Sequence, residues 1–236
     1  MPRVTTTTHR LPPATSLLAV CAHPDDESFG LGAILAAYGA AGCRLSVLCL
    51  THGEGSTLHA AGADLFQTRA EEFRCAAGIL GVGHAELLTY ADGHLAEVPL
   101  PELAGEVDRL AAAVEADRLL VFDEAGVTGH ADHRQATAAA RLAAAPRALP
   151  VLAWALPTAI AEQLNSEHHT AFCGQPAGAL DIELVVDRSQ QRRAIACHRS
   201  QATDNVVLER RLALQRQREW LRHLVPGPAP AGTAGA

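Results

Sequence analysis

The sequence predicts an α/β protein with a mostly parallel central sheet and helices on both faces of that sheet. Two observations predict this class: short apolar segments alternate with helical patterns, and each of the first four apolar segments ends in a polar loop. The chain has 236 residues, 48% of them hydrophobic, which suits one domain with a full core. Because there is no internal repeat and no linker, we expect a single domain over residues 1–236.

The apolar segments give the expected strands. They cover residues 17–22, 45–50, 86–90, 119–122 and 151–156, and residues 181–186 alternate as a late edge strand would. Helical patterns cover residues 31–40, 64–80, 100–116, 132–144, 188–199 and 205–224. We expect residues 1–14 to form an irregular leader, residues 157–179 to be irregular, and the Pro-, Gly- and Ala-rich residues 226–236 to form a disordered tail.

Charge and composition exclude several classes of partner. The net charge is −7, there is no lysine, and no basic cluster indicates binding to nucleic acid. No apolar run reaches the roughly 18 residues of a membrane helix, and the first residues lack the apolar region of a signal peptide. We therefore predict a cytoplasmic protein with no membrane partner. The six cysteines show no Cys-x-x-Cys spacing and are interpreted as small, reduced side chains, most of them buried.

The first functional motif follows the first predicted strand, where His-Pro-Asp-Asp-Glu occupies residues 23–27. Ligands of open α/β sheets bind at the carboxyl ends of the strands, so these polar side chains are placed at a ligand site. His23 and Asp26 can approach one metal ion to about 2.0–2.2 Å. Asp25, beside a ligand, is placed to take a proton from a metal-bound water. Glu27 is expected to brace the loop.

The second motif, His-Ala-Asp-His at residues 130–133, follows the fourth predicted strand. A hydrolytic zinc site needs three protein ligands and an open position for water, so one of these two histidines would complete the site. The other histidine, oriented by Asp132, could donate a hydrogen bond to an oxyanion or a leaving group. The spacing does not decide whether His130 or His133 is the ligand.

Together these motifs resemble the two signature motifs of the PIG-L (LmbE-like) de-N-acetylase family. Weaker similarities to the same family lie at residues 51–55, 69–73, 80–82, 92–93 and 198–201, so the resemblance covers residues 17 to about 201. The family has a Rossmann-like, three-layer α/β/α fold. Its members remove acetyl from N-acetylglucosaminyl groups, so the resemblance implies an N-acetylated sugar conjugate as the small-molecule partner.

The resemblance also implies a role for individual residues. The zinc ligands would be His23, Asp26 and His133. Asp25 would be the general base, and His130, held by Asp132, would be the electrostatic or acid partner.

Further implications concern the substrate and the metal. Arg69 and Asp92 would contact the sugar or its aglycone, and His198 would line the pocket from the far side. Zn²⁺ is the expected cofactor, with Fe²⁺ as a possible ion in vivo, because both accept two histidines and one carboxylate. The family also implies a homo-oligomer, either a trimer or a hexamer.

Two departures from the family argue against a role in the mycothiol pathway. Thr128 stands where some glucosaminyl-inositol deacetylases have a carbonyl-polarising Tyr, and Gly30 stands where members acting on mycothiol conjugates tend to have Lys. Ala131, where the family usually has Pro, has no chemical consequence.

Three alternatives to a sugar deacetylase stay open. The closest is a zinc amidase acting on a non-acetyl or non-sugar amide. A non-catalytic sugar-binding module would be expected to have lost at least one of the residues that the mechanism needs. A nucleotide-dependent enzyme would need Gly-x-Gly-x-x-Gly in the first strand–helix turn, which carries acids instead.

Overall fold

A computed structural model describes residues 8–58 and 64–226 of the chain. Its strands are β1 Ser16–Cys21, β2 Arg44–Thr51, β3 His84–Tyr90, β4 Arg118–Phe122, β5 Val151–Pro157, β6 Gly174–Gln175, β7 Ile182–Val185 and β8 Arg218–Val225. Its α-helices are α1 Asp26–Phe29, α2 Gly32–Ala40, α3 Leu65–Leu80, α4 Leu100–Ala113, α5 Ala131–Ala144, α6 Thr158–His168, α7 Ser189–Ile195, α8 Arg199–Ala202 and α9 Val206–Gln215.

The sheet has the strand order β3-β2-β1-β4-β5-β8-β7, and β6 pairs with β5 off this path. The strands from β3 to β5 are parallel to their neighbours, whereas β8 is antiparallel to both β5 and β7. The predicted α/β class with a mostly parallel sheet is therefore confirmed. Chain order reverses between β1 and β4, and the crevice at the carboxyl ends of these two strands is where such sheets bind ligands.

Helices cover both faces of the sheet, which explains the continuous apolar character of the strands. On β1, Leu17 packs in one hydrophobic cluster with Ile34 of α2 and Phe73 of α3. The next residue, Leu18, points to the opposite face and packs with residues of α4 and α5 such as Val107. No helix within the described ranges is both long enough and apolar enough to cross a membrane.

The C-terminal third differs from its prediction. The helix expected over residues 205–224 ends at Gln215, Arg216 takes a φ of 53°, and residues 218–225 form β8 between β5 and β7. The Glu, Arg and Leu residues of this segment favour a helix locally, but the unpaired edge of β5 offers them main-chain hydrogen bonds and a buried place for Leu221. Local propensity is overridden here by tertiary pairing.

Two smaller predictions also change. Residues 157–179, expected to be irregular, contain α6, which buries only Ala161 and Leu164 and so has a weak apolar pattern. The helix expected over residues 188–199 is divided into α7 and α8. The late edge strand is confirmed as β7. Predictions for residues 1–7, 59–63 and 227–236 lie outside the described residues.

One pair of cysteines contradicts the expectation of six reduced thiols. Cys75 of α3 and Cys197, in the turn between α7 and α8, form a disulfide with their Cα atoms 5.8 Å apart. They are 122 residues apart in the sequence, so no spacing pattern indicates the pairing. Cys21, Cys43 and Cys49 are free and buried, as predicted.

Candidate metal and catalytic site

The loop between β1 and α1 holds the first motif in a fixed shape. One carboxylate oxygen of Asp26, Oδ2, accepts the main-chain N–H groups of Ala22 and His23, each at 3.0 Å. Asp26 also begins α1, where a carboxylate is favoured by the helix dipole. Its second oxygen, Oδ1, is left for a partner across the crevice.

That partner is His133, on the first turn of α5 beyond β4. Its Nε2 atom lies 3.1 Å from Asp26 Oδ1 and 3.2 Å from His23 Nδ1. All three side chains are buried, and their ligand atoms lie within 4.8 Å of one another. These separations suit neighbouring ligands that are each about 2.0–2.2 Å from one ion. We call His23, Asp26 and His133 the metal centre.

The other nitrogen of each imidazole already has a partner. His133 Nδ1 lies 3.0 Å from the Gly126 carbonyl oxygen, and His23 Nε2 lies 3.0 Å from a carboxylate oxygen of Asp92. A proton on each of these nitrogens leaves a lone pair on His133 Nε2 and on His23 Nδ1, both facing Asp26. Two imidazole nitrogens and one carboxylate oxygen, supported in this way, fit a divalent transition metal ion.

Electrostatics at the metal centre favour an ionised Asp26 but also a protonated His23. Burial would raise the pKa of Asp26, but His133 and His23 hold that pKa below its usual range, so the carboxylate is ionised as a ligand must be. Burial would lower the pKa of His23, but hydrogen bonds to Asp132 and Asp92 outweigh it and raise the pKa to about 10. Metal binding therefore competes with a proton at this ring.

Asp25 lies beside the metal centre in a strained conformation. Its φ is 119°, in the left-handed region, and its main-chain N–H donates to Glu27 Oε2 at 3.0 Å. Its carboxylate accepts a hydrogen bond of 2.9 Å from Arg69. Burial raises the pKa of Asp25 to about 6 against the opposing charge of Arg69. A carboxylate that titrates near neutral pH is suited to general-base work.

Glu27 and His198 form a fully buried pair behind Asp25. His198 Nε2 lies 2.6 Å from Glu27 Oε1, which also accepts the Ser28 hydroxyl at 2.6 Å. Glu27 thus connects His198 to the main chain of Asp25, in keeping with the brace expected of it. His198 was expected to line the pocket, which is wrong, because it lies behind Glu27 with no exposed surface. We call Glu27 and His198 the brace.

The predicted contact between the Asp132 carboxylate and His130 is wrong. That carboxylate accepts the main-chain N–H groups of Gly93 at 2.7 Å and Leu95 at 3.2 Å, and it lies 3.4 Å from His23 Nε2. It is the main-chain N–H of Asp132 that donates to His130 Nδ1, at 3.2 Å. The short helical turn of the motif, not its acidic side chain, holds His130. Asp132 instead supports the ligand His23.

Arg69 and Asp92, the predicted substrate contacts, line the cavity but are already engaged. Arg69 is buried and donates to the carbonyl oxygens of Pro24 and Gly53 as well as to Asp25. Asp92 pairs with His23 and accepts the N–H of Gly55 at 2.9 Å. Both side chains hold the site residues in place, and their contact with a substrate stays a prediction.

The cavity above the metal centre has a volume of about 480 Å³ and a second end that sequence analysis missed. The chain has only nine aromatic residues, five Phe, two Trp and two Tyr, and four of them line this cavity. We call these four the aromatic wall: Phe29, Phe122, Trp154 and Phe172. Phe122 and Trp154 are register partners on β4 and β5 with ring centroids 4.9 Å apart. The position of Phe122 at the carboxyl end of β4 was the available signal in the sequence.

Comparison with known families gives an independent result. Residues 18–144 match the family model described as PIG-L: GlcNAc-PI de-N-acetylase. This stretch is more than half of the 236 residues and contains both motifs.

Two relatives are named 1D-myo-inositol 2-acetamido-2-deoxy-alpha-D-glucopyranoside deacetylase, the first of them with the number 1 added. The protein of Catenulispora acidiphila is 32% identical over 214 residues, which cover 75% of this chain and 66% of that protein. The protein of Nakamurella multipartita is 29% identical over 276 residues, which cover 92% of this chain and 91% of that protein. The chain therefore spans just under two thirds of the first relative and nearly all of the second.

Among solved structures, GalB, the 4-carboxy-2-hydroxymuconate hydratase of Pseudomonas putida KT2440, superposes with a TM-score of 0.70. The match covers 92% of this chain and 98% of that one at 18% sequence identity. At this identity the likeness supports the fold alone, and function has to be argued from the site.

Proposed function

Because the chain belongs to the GlcNAc-PI de-N-acetylase family, we propose that it is a metal-dependent hydrolase that removes the acetyl group from an N-acetylglucosaminyl conjugate. The observation that carries this proposal is the metal centre with Asp25 beside it. His23, Asp26 and His133 present three ligand atoms to one point, and a carboxylate with a pKa of about 6 lies next to them. That is the donor set and the base that amide hydrolysis by an activated water requires.

The ion we propose for the metal centre is Zn²⁺, and Fe²⁺ suits the same donors. Bound there, a divalent ion would polarise the amide carbonyl and lower the pKa of a water ligand from about 15.7 toward about 7. The protein's part is to hold the ligand atoms in place and turned toward the ion. Gly126 and Asp92 do this by occupying the outer nitrogens of His133 and His23.

Asp25 accepts a proton from the attacking water. The oxygen of that water adds to the acetyl carbonyl carbon, and the C–N bond breaks as the amide nitrogen takes up a proton from Asp25. Acetate and a free amine result. Arg69 holds the Asp25 carboxylate from one side and the brace holds its main chain from the other, so the base is oriented before substrate arrives.

His130 supplies a neutral hydrogen-bond donor. Burial lowers its pKa, as do the charges of His23 and His133, so the ring is uncharged at neutral pH. Since Nδ1 accepts the N–H of Asp132, Nε2 carries the proton of the neutral ring. That N–H can stabilise the oxyanion formed during attack, a contribution worth about 2.7–4 kcal/mol in other hydrolases.

The substrate we propose is a GlcNAc-containing small molecule, in line with the names of the relatives. A cavity of about 480 Å³ is of the size that takes up small ligands. The rival that stays closest is hydrolysis of an amide with a different acyl group, because the same residues would act on it. Cytoplasmic location and assembly into a trimer or hexamer remain predictions.

The test is an acetate-release assay over a panel of N-acetylglucosaminides that begins with the inositol conjugate. We expect release from at least one member, its loss after treatment with a chelator, and its return on adding Zn²⁺ or, without oxygen, Fe²⁺. N-propionyl and N-succinyl versions of the best substrate form the control arm for the rival reading. Acetate release that survives complete metal removal, or amine release from the control arm alone, would contradict the proposal.

A further inference from the structure

Arg211, on α9, is a buried cation at the aromatic end of the cavity. It is 4% exposed and lines the same cavity as His23 and Asp25. Its guanidinium donates to the Phe29 carbonyl oxygen at 2.7 Å and to the Gln215 side-chain oxygen at 2.8 Å. Both acceptors are neutral, so neither balances the charge.

The acid whose charge acts on Arg211 is committed to other donors. Glu219, fully buried on β8, forms an ion pair with Arg188 and accepts the indole N–H of Trp154 at 2.7 Å and the Gln215 amide at 2.8 Å. Within residues 8–58 and 64–226, no carboxylate oxygen lies within 4 Å of the Arg211 guanidinium. Arg188 and Glu219 together are neutral, and Arg211 adds one uncompensated positive charge.

Arg211 keeps this charge at neutral pH. Burial lowers its pKa only to about 10, with Glu219 opposing the shift. Burial of an unpaired charge is unfavourable, and an anion brought into the cavity would relieve it. A guanidinium is also well shaped to bind a carboxylate or phosphate through two parallel hydrogen bonds.

A continuous apolar surface joins the metal centre to Arg211. The His133 ring contacts Phe122 at 4.7 Å, Phe122 contacts Trp154 at 4.9 Å, and the Arg211 guanidinium lies over Trp154 at 5.0 Å, each measured to ring centroids. Gly30 faces the same two rings, and a Cβ atom there would lie only 2.5 Å from Phe122. The main chain at Gly30 therefore packs directly against the two rings and leaves no room for a side chain at position 30.

We propose that this end of the cavity is an anion site, in which Arg211 binds a carboxylate or phosphate group of the substrate. The preferred substrate is then an amide whose reacting end and anionic end are separated by an apolar segment lying along Phe122 and Trp154. The identity of the bond that is cleaved rests on the proposed function, whereas the binding of the anion does not. Two parts of the substrate can carry the anion: the aglycone of the sugar or the acyl group.

Matched substrate pairs distinguish these two sources. The aglycone arm compares 4-carboxyphenyl with 4-carbamoylphenyl N-acetylglucosaminide, and the acyl arm compares N-succinyl with N-succinamoyl glucosaminide. We expect the acid to exceed its neutral amide by about tenfold or more in kcat/KM in one arm, the range of a charge-assisted hydrogen bond. In Arg211→Met this preference is lost through KM, and Arg211→Lys retains part of it.

Arg210→Met is the control variant. Arg210 is the neighbouring residue on α9, is partly exposed, and pairs with Glu167 at 2.6 Å outside the cavity. The acid-to-amide ratio of this variant should equal that of the unmodified protein. Metal content and Tm of all variants show whether a change arises from misfolding.

The outcome that overturns the anion site is a ratio near one in both arms, or an equal loss for acid and amide in Arg211→Met. The latter result would mean that Arg211 only anchors α9 to Phe29. Calorimetry with 4-carboxyphenyl and 4-carbamoylphenyl glucosaminide, the free amines, measures binding without turnover. Tighter binding of the acid that depends on Arg211, in the absence of any acetate release, would uphold the anion site and sink the proposed hydrolysis.

Discussion

The metal end of the cavity takes three of its side chains from one loop, whereas the aromatic wall takes its four from four separate parts of the chain. His23, Asp25 and Asp26 lie within four residues of each other and follow β1. Phe29 is the last residue of α1, Phe172 lies between α6 and β6, and Phe122 and Trp154 come from neighbouring strands. The residues that perform chemistry need fixed relative positions, which a short motif provides. The residues that select a ligand need only to share a surface.

The same contrast divides the sheet. The parallel strands place both motifs at one edge, because all their carboxyl ends point the same way. The antiparallel strand β8 contributes Glu219, which accepts the indole N–H of Trp154 in the aromatic wall and pairs with Arg188. The proposed chemistry thus lies in the parallel part of the fold, and the proposed anion site lies at the junction with the antiparallel part.

Loss of a metal ligand should have the largest effect and touch only the metal end. His133→Ala removes the Nε2 atom that faces His23 and Asp26, so we expect metal content near zero and acetate release below detection. Elemental analysis and the release assay measure this. His84→Ala, at the opposite end of the sheet and exposed, serves as control. Full metal occupancy in His133→Ala would remove the basis for the metal centre.

Removal of the base should separate metal binding from turnover. In Asp25→Asn we expect kcat to fall by about 10²–10⁴-fold, the range for a general base, since an amide cannot accept the proton. Metal content should equal that of the unmodified protein because Asp25 is not a ligand. Single-turnover kinetics with elemental analysis decide the matter. Turnover at the normal rate would show that another residue is the general base.

Changes in the brace should be smaller and should not be additive. Glu27→Gln weakens the pair with His198 and with it the support of Asp25, so we expect kcat to fall by about 10–100-fold, as for other supporting contacts, at constant KM. His198→Gln should match it, and the double variant should lose no more than either single one. Additive losses would show that the two residues act separately. Tm and metal content monitor the fold of these buried variants.

The smallest effect is expected where the aromatic wall meets the first motif. Gly30→Ala places a Cβ atom 2.5 Å from the Phe122 ring and 2.9 Å from Trp154, so the wall has to shift. We expect a KM change of a few-fold with kcat retained, and a loss of about 1–3 kcal/mol in the free energy of unfolding. Gly78→Ala, in a helix with open space around it, is the control and should stabilise slightly. A fall in kcat at unchanged KM would contradict the proposal that the aromatic wall affects binding and the metal end affects the chemical step.

Local signals allowed the parallel sheet and the proposed ligands His23 and Asp26 to be predicted from the sequence, whereas the choice of His133 over His130 came from the family resemblance. An apolar run followed by His-x-x-Asp is visible in ten residues, and the edge at which it lies follows from strand–helix alternation. The strand β8 was not predictable in this way, since its helix-favouring residues form a strand only beside the free edge of β5. The Asp132 contact failed for a related reason: the main-chain N–H groups that its carboxylate accepts, those of Gly93 and Leu95, lie 39 and 37 residues away in the sequence. No local pattern indicates the proposed role of Arg211, because that role depends on Glu219 being paired with Arg188.

Because of the disulfide between Cys75 and Cys197, the redox conditions of purification can affect every one of these measurements. It ties α3 directly to the turn that carries His198, and Ser200 one turn later holds Glu72 of the same helix. Cys75 is exposed, so a thiol reagent in the buffer can reach the bond. Oxidised and reduced preparations of the protein would then differ in how firmly the brace is held. Purification with and without reductant, followed by free-thiol titration, should come before any comparison of rates between laboratories.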